Sequence, residues 1–107
     1  MANLVILEPV QRELEEIARI HLGLSGPESA RKMTNEIVDT LSRLAQFPLS
    51  GHIPADKELR SGGYRYVIAG KYICVYRLIA ETVFVYHIAH GASNYPSLFK
   101  RLLKEHN

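Results

Sequence analysis

Gly63-Tyr64-Arg65-Tyr66-Val67-Ile68, Tyr72-Ile73-Cys74-Val75-Tyr76-Arg77 and Val85-Tyr86-His87-Ile88-Ala89-His90-Gly91-Ala92 are the stretches that decide the fold of this chain. All three are dense in β-branched and aromatic residues, whose stiff or flat side chains suit a pleated surface. Ala69-Gly70-Lys71 and Ala80-Glu81 between them leave room only for tight turns. Strands at about 63–68, 72–79 and 82–90 are therefore expected to form an antiparallel meander.

Working outward toward the N-terminus, Leu4–Leu7 is too short an apolar run for a helix and reads as a first strand, after which Pro9 suits the opening turn of a helix. Val10, Leu14, Ile17 and His21 then recur at helical spacing, with Arg12, Glu13, Glu15, Glu16 and Arg19 on the other side. This predicts an amphipathic helix ending near Gly23. Ser25 as a cap, Pro27 in the first turn and Glu28 complementing the helix dipole open a second helix. Its stripe of Ala30, Met33, Ile37, Leu41 and Leu44 runs to about Phe47, so the two helices form a hairpin on a four-residue connection. Residues 48–62 hold Pro48, Gly51, Pro54 and Gly62 and read as an ordered loop without periodicity. Beyond Tyr95-Pro96, residues 97–104 predict a short basic terminal helix.

The first strand can bury its apolar faces only by joining the same sheet through the long helical crossover. The expected order is β-α-α-β-β-β-α. This is an α+β fold in which the helical hairpin packs on one face of a small, mainly antiparallel sheet and leaves the other face partly open for function.

At 107 residues, the chain is expected to be a single domain spanning 1–107. An apolar fraction of 47% with 22% charged residues excludes disorder. Charge is divided unevenly: residues 1–58 carry six basic and nine acidic side chains, residues 59–107 seven basic and two acidic, or −3 against +5. A basic half of this kind can meet nucleic acid, an acidic protein surface or an acidic peptide. The lone Cys74 forbids an internal disulfide and, in an apolar strand, reads as a buried thiol. With no apolar run long enough for a signal segment or a membrane span, a cytoplasmic location is expected. His87 and His90 lie an odd number of residues apart and point to opposite faces of a regular strand, so they cannot chelate one metal. No metal or cofactor is expected.

Phe47-Pro48 before a glycine-containing loop, Leu59-Arg60-Ser61, the hairpin from Tyr66 to Tyr76-Arg77, and His90-Gly91-Ala92 followed by Tyr95-Pro96-Ser97-Leu98-Phe99 stand in this order over about fifty residues. In order and spacing they resemble the RelE/ParE family of toxins from type II toxin–antitoxin pairs, closest to the ParE branch. The resemblance implies a toxin neutralised by a cognate antitoxin in a hetero-oligomer, the antitoxin's C-terminal segment wrapping the toxin. ParE-like members are associated with poisoning DNA gyrase, and RelE-like members with cutting messenger RNA on the ribosome. The two branches share a fold, so the target must be argued from the site.

Ribonucleases of this family tend to carry an Arg early in the central strand before a Val-Tyr pair, and here that position is Ile73. An aliphatic side chain cannot stabilise a phosphorane, which favours a binding toxin over an enzyme. The expected target-binding surface is Arg60, Arg65, Arg77, His90 and Tyr95. If the chain were instead an endoribonuclease, His90 would serve as acid or base, with Arg65 and Arg77 on phosphate and Tyr95 as a further candidate. A third reading is an inert member that only binds its antitoxin. His52 and Asp56, four apart in the loop, suggest a histidine-rich ribonuclease variant or, more simply, a solvated loop. Many ParE-like sequences carry an Arg-Asp pair in the turn after the His-Gly-Ala element, where this chain has Ser93-Asn94.

Overall fold

The structure, a computed structural model, describes residues 1–91 and 94–105. Its elements are β1 (Asn3–Ile6), α1 (Glu8–Ser25), α2 (Pro27–Gln46), α3 (Lys57–Ser61), β2 (Tyr64–Ala69), β3 (Tyr72–Ile79), β4 (Thr82–His90) and α4 (Tyr95–Glu105). The four strands form one sheet in the order β1-β4-β3-β2. The meander is antiparallel throughout, and β1 enters parallel to β4, pairing Asn3–Ile6 with Thr82–Val85. The α+β architecture is the expected one: a helical hairpin on a mixed, mostly antiparallel sheet.

The hairpin joint is tighter than its sequence suggested. Helix α1 runs through Gly23 to Ser25, and Gly26 alone separates it from α2. At φ +90° Gly26 adopts a backbone that other residues rarely reach, and its N–H closes α1 on the Leu22 carbonyl. A single glycine thus replaces the four-residue connection, and Ser25 continues the helix instead of capping the next one. The loop also contains an unforeseen helix, α3. Asp56 accepts a hydrogen bond from the Leu59 N–H at 3.1 Å and caps it, but five residues are too few to show a period.

Each face of the sheet carries its own core. Val10, Ile17, Ile37, Leu41 and Leu44 from the hairpin meet Val67, Ala69, Tyr72, Cys74, Tyr76, Val83, Val85 and Ile88. On the reverse face Leu59, Tyr64, Val75 and Phe99 are buried together, with Ile73, Tyr86, Tyr95 and Leu103 packed around them. The reverse face is covered in its middle and stays exposed at Ile68 and Ile79. A bulge in β4 sets Tyr86 and His87 against the single residue Val75. The alternation is thereby reset, so that Val85 and Ile88 both face the hairpin while Tyr86 and His87 both reach the α4 side. Cys74 is fully buried, and burial, helped by the Glu13 charge, pushes its thiol up to about 12. Among the described residues, no helix is long and apolar enough to cross a membrane.

Candidate functional site

The face under α4 concentrates polar chemistry. Phe99 enters an aromatic cage, its ring centroid 5.1 Å from Tyr64, 6.1 Å from Tyr86 and 5.9 Å from His87. Beside this cage the Arg77 guanidinium lies 4.6 Å above the Tyr64 ring and 5.2 Å from that of Tyr86. Its Nη2 donates to the Tyr86 hydroxyl at 2.9 Å and its Nη1 to the Gly62 carbonyl at 3.3 Å. Burial raises the Tyr64 phenol above its ordinary value against the opposing pull of Arg77, so the ring stays neutral and its π face remains available to the cation.

Helix α4 is fastened at two further points. Lys100 Nζ donates to Asp56 Oδ2 at 2.9 Å, joining α4 to the cap of α3. Tyr95 packs on Tyr66 at 5.7 Å, and Tyr66 stacks in turn on His52 at 5.1 Å. His52 also exchanges both backbone hydrogen bonds with Tyr66, at 2.7 and 3.0 Å, and so occupies part of the β2 edge. His52 and Asp56, paired in the sequence by their spacing, therefore do separate structural jobs.

The five residues expected to form one surface divide between the two faces of the sheet. Arg77 and Tyr95 share the α4 side, with Arg60 exposed on α3. Arg65 lies on the hairpin side, where its Nη1 donates to the carbonyls of Leu49 and Gly51 at 3.3 and 3.2 Å. His90, exposed at the end of β4, also belongs to that side, its ring 5.6 Å from Tyr72. Ile73 packs among the residues of the α4 side, the face it shares with Val75 and Arg77 as strand alternation requires. Ser93 lies outside the described residues. Of its turn, Asn94 is seen to accept the Leu98 N–H of α4 through its carbonyl at 3.2 Å.

Two side-chain clusters escaped the sequence. His87 Nδ1 lies 2.6 Å from Glu13 Oε2, while Glu13 Oε1 accepts the Ile88 N–H at 3.0 Å. Glu13 thereby covers a stretch of β4 edge that β1, ending at Ile6, leaves open. Nothing in the sequence marks the bulge that brings His87 there. The second cluster is His21 with Tyr72, Nε2 to hydroxyl 3.0 Å. Here a signal existed: His21 ended an otherwise apolar helical stripe, and a polar group on a core-facing stripe requires a partner.

The arrangement is that of a small α+β domain with an aromatic and cationic sheet face. Residues 4–95 match the protein-family profile described as "ParE toxin of type II toxin-antitoxin system, parDE", and the chain belongs to this family. Among solved structures it is similar to the "Chromosomal ParDE TA system from P. aeruginosa", with a TM-score of 0.71 and 19% identity over 84% of this chain and 96% of that one. No curated protein matches the chain significantly.

Proposed function

We propose that this ParE-family toxin is held inactive by a cognate antitoxin and, when released, arrests growth in the cytoplasm by binding DNA gyrase and not by cutting RNA. The observation that carries this reading is the separation of Arg77 from His90 by the thickness of the sheet. General acid–base cleavage needs a proton-transferring group and a charge-stabilising cation within hydrogen-bond reach of one phosphate. Arg65, the other candidate cation, donates to two loop carbonyls. The Tyr64, Tyr72, Tyr76 and Tyr95 phenols all stand above their ordinary value, with burial as the leading cause in each, so they stay protonated and supply no base near neutral pH. A binding surface needs none of these groups to converge. The similar solved structure is that of a ParDE system, and this likeness supports an antitoxin partner for this chain.

The test is to incubate the purified chain with gyrase and supercoiled plasmid and, separately, with programmed ribosomes. The expected result is gyrase trapped on cleaved DNA and intact ribosome-bound messenger RNA. Codon-dependent RNA cuts by the wild type that disappear in His90→Gln would overturn the proposal in favour of a ribonuclease.

A further inference from the structure

The two sides of the sheet are covered by helices of opposite charge. Helices α1 and α2 together hold five basic and seven acidic side chains, or −2, whereas α3 and α4 hold five basic and two acidic, or +3. The surfaces differ in the same sense. A shallow depression along α2, between Glu28 and Arg43, balances three acids with three bases. The depression on the α4 side is lined, among the described residues, by Glu58, Ser97, Lys100, Arg101 and Lys104, all of them charged or polar.

Not all of these cations are available. Lys100 is held by Asp56 at 2.9 Å, and Glu58, the one acid of the depression, lies 3.8 Å from the same ammonium. Arg101 and Lys104 are exposed and form no hydrogen bond or ion pair with the described residues. Three residues apart on α4, they stand about 4.5 Å from one another along the helix axis. Lys57 and Arg60 are likewise exposed and unpaired on α3, the helix whose cap Lys100 holds. Lys104 in the last turn complements the dipole of α4, but Arg101 stands a turn earlier and has no such role. The backbone beneath them is fixed, because Phe99 is buried in the aromatic cage and Lys100 ties α4 to α3. The free cations are thus presented on a settled platform.

We propose that the outer face of α3 and α4 binds the phosphate backbone of duplex DNA, with Arg101 and Lys104 as its central contacts, so that the toxin meets the DNA held by its target as well as the target itself. Charge complementarity calls for a polyanion, and the lining selects which one. A peptide that docks in a groove needs pockets for its apolar side chains, and single strands are held by stacking on exposed rings. This depression offers neither among the described residues. Phosphate contacts need only cations and hydroxyls such as that of Ser97. A duplex carries one charge per about 1.7 Å of its axis, a denser row than the cations of α4, so each cation finds a phosphate within reach. The inference rests on the gyrase reading only for which DNA is met; the face should bind a duplex by itself.

The experiment compares the wild type with Arg101→Gln/Lys104→Gln and with the control Arg31→Gln/Lys32→Gln, which removes the same two charges from exposed positions on α2. It reads melting temperature, gyrase capture, and binding to a labelled DNA duplex, a single-stranded RNA of equal length and a polyglutamate peptide at several salt concentrations. We expect the wild type to bind the duplex best of the three, with an affinity that falls as salt rises. Arg101→Gln/Lys104→Gln should weaken duplex binding at least tenfold at about 50 mM salt and reduce the slope of log affinity against log salt by about 2, with no change in melting temperature. The control should keep most of the affinity. Failure of the wild type to bind the duplex overturns the inference, and so does an equal loss in the control. Tighter binding of the RNA or of polyglutamate also overturns it, in favour of a single strand or an acidic peptide. If duplex binding behaves as expected while the wild type captures no gyrase, the DNA-binding face stands and the gyrase reading falls. If gyrase is captured while the Arg101→Gln/Lys104→Gln variant binds the duplex as the wild type does, the reverse holds.

Discussion

Toward the helical hairpin the sheet presents Val67, Cys74, Tyr76, Val83, Val85 and Ile88; toward α4 it presents Tyr64, Val75, Tyr86 and His87, with Arg77 at the margin. The first set meets two long helices and keeps its polar atoms at the perimeter, where the Tyr76 hydroxyl pins the loop and Tyr72 meets His21. The second meets two short helices, α4 and the one-turn α3, and depends on ring geometry, a guanidinium and the ion pairing of Lys100. Apolar burial is large and non-directional, whereas cation–π and hydrogen-bonded contacts are smaller and bound to their geometry. Stability should therefore reside on the hairpin side. The α4 side is where side chains can be arranged for recognition without endangering the fold.

Paired truncations offer the most forceful way to break this comparison. Leu41 is fully buried between hairpin and sheet, and Leu41→Ala should cost about 2–5 kcal/mol and lower the urea midpoint for the whole molecule. Phe99 is larger and also buried, and by size alone its replacement with Ala would cost about 3–5 kcal/mol. Helix α4 can let go as a unit, however, so the loss is limited to what its docking contributes. Phe99→Ala should move the global midpoint less than Leu41→Ala and raise amide exchange within α4 alone. Equal global losses would mean that both faces belong to one cooperative unit.

A smaller effect is expected at Arg77. Its contacts with Tyr64 and Tyr86 are each worth about 0.5–1 kcal/mol at a partly exposed site, so Arg77→Ala should cost about 1–2 kcal/mol and remain folded. Toxicity should nevertheless fall sharply if this face meets the target. Arg77→Lys should not restore it, because an ammonium cannot reproduce the planar stack. Thermal melts beside growth assays distinguish the cases: an unfolded variant refutes the peripheral role of Arg77, and a folded, fully toxic one refutes its role in recognition.

These regions differed equally in how far the sequence revealed them. The apolar stripes of α1 and α2 and the alternating strands carry their own period, and the structure places β3 and β4 at the residues read from the sequence, Tyr72–Ile79 and Thr82–His90. What had no period stayed hidden. Helix α3 is a single capped turn, and the Gly26 joint rests on one positive φ. The β4 bulge hides because Val85-Tyr86-His87-Ile88 reads equally well as an unbroken strand. The candidate surface suffered from a related limit. Residue type alone marked Arg65 and Arg77 as similar cations, but alternation from β2 to β3 sends them to opposite faces, and one of them is committed to the loop.

The finest separation between the two faces should appear on changing pH, through the ion pair that fastens α4. Asp56 is held below its ordinary 3.8, first by the hydrogen bond from Lys100 and then by the Leu59 N–H. Lys100 is raised above 10.5, chiefly by its bond to Asp56. A carboxyl with a lowered folded pKa stabilises fully above its unfolded value, and that contribution disappears as pH falls through the folded one. An amine with a raised folded pKa stabilises fully below its unfolded value and loses that contribution as pH rises through the folded one. Protection of α4 amides, corrected for intrinsic exchange, should thus be flat between about pH 4 and 10 and decline on both sides. Asp56→Asn keeps a competent cap for α3 and removes the charge, so it should lower the plateau and shrink both shoulders while the hairpin amides keep their protection. If the hairpin loses protection in parallel with α4, the ion pair supports the whole fold, and the division between the two faces of the sheet fails.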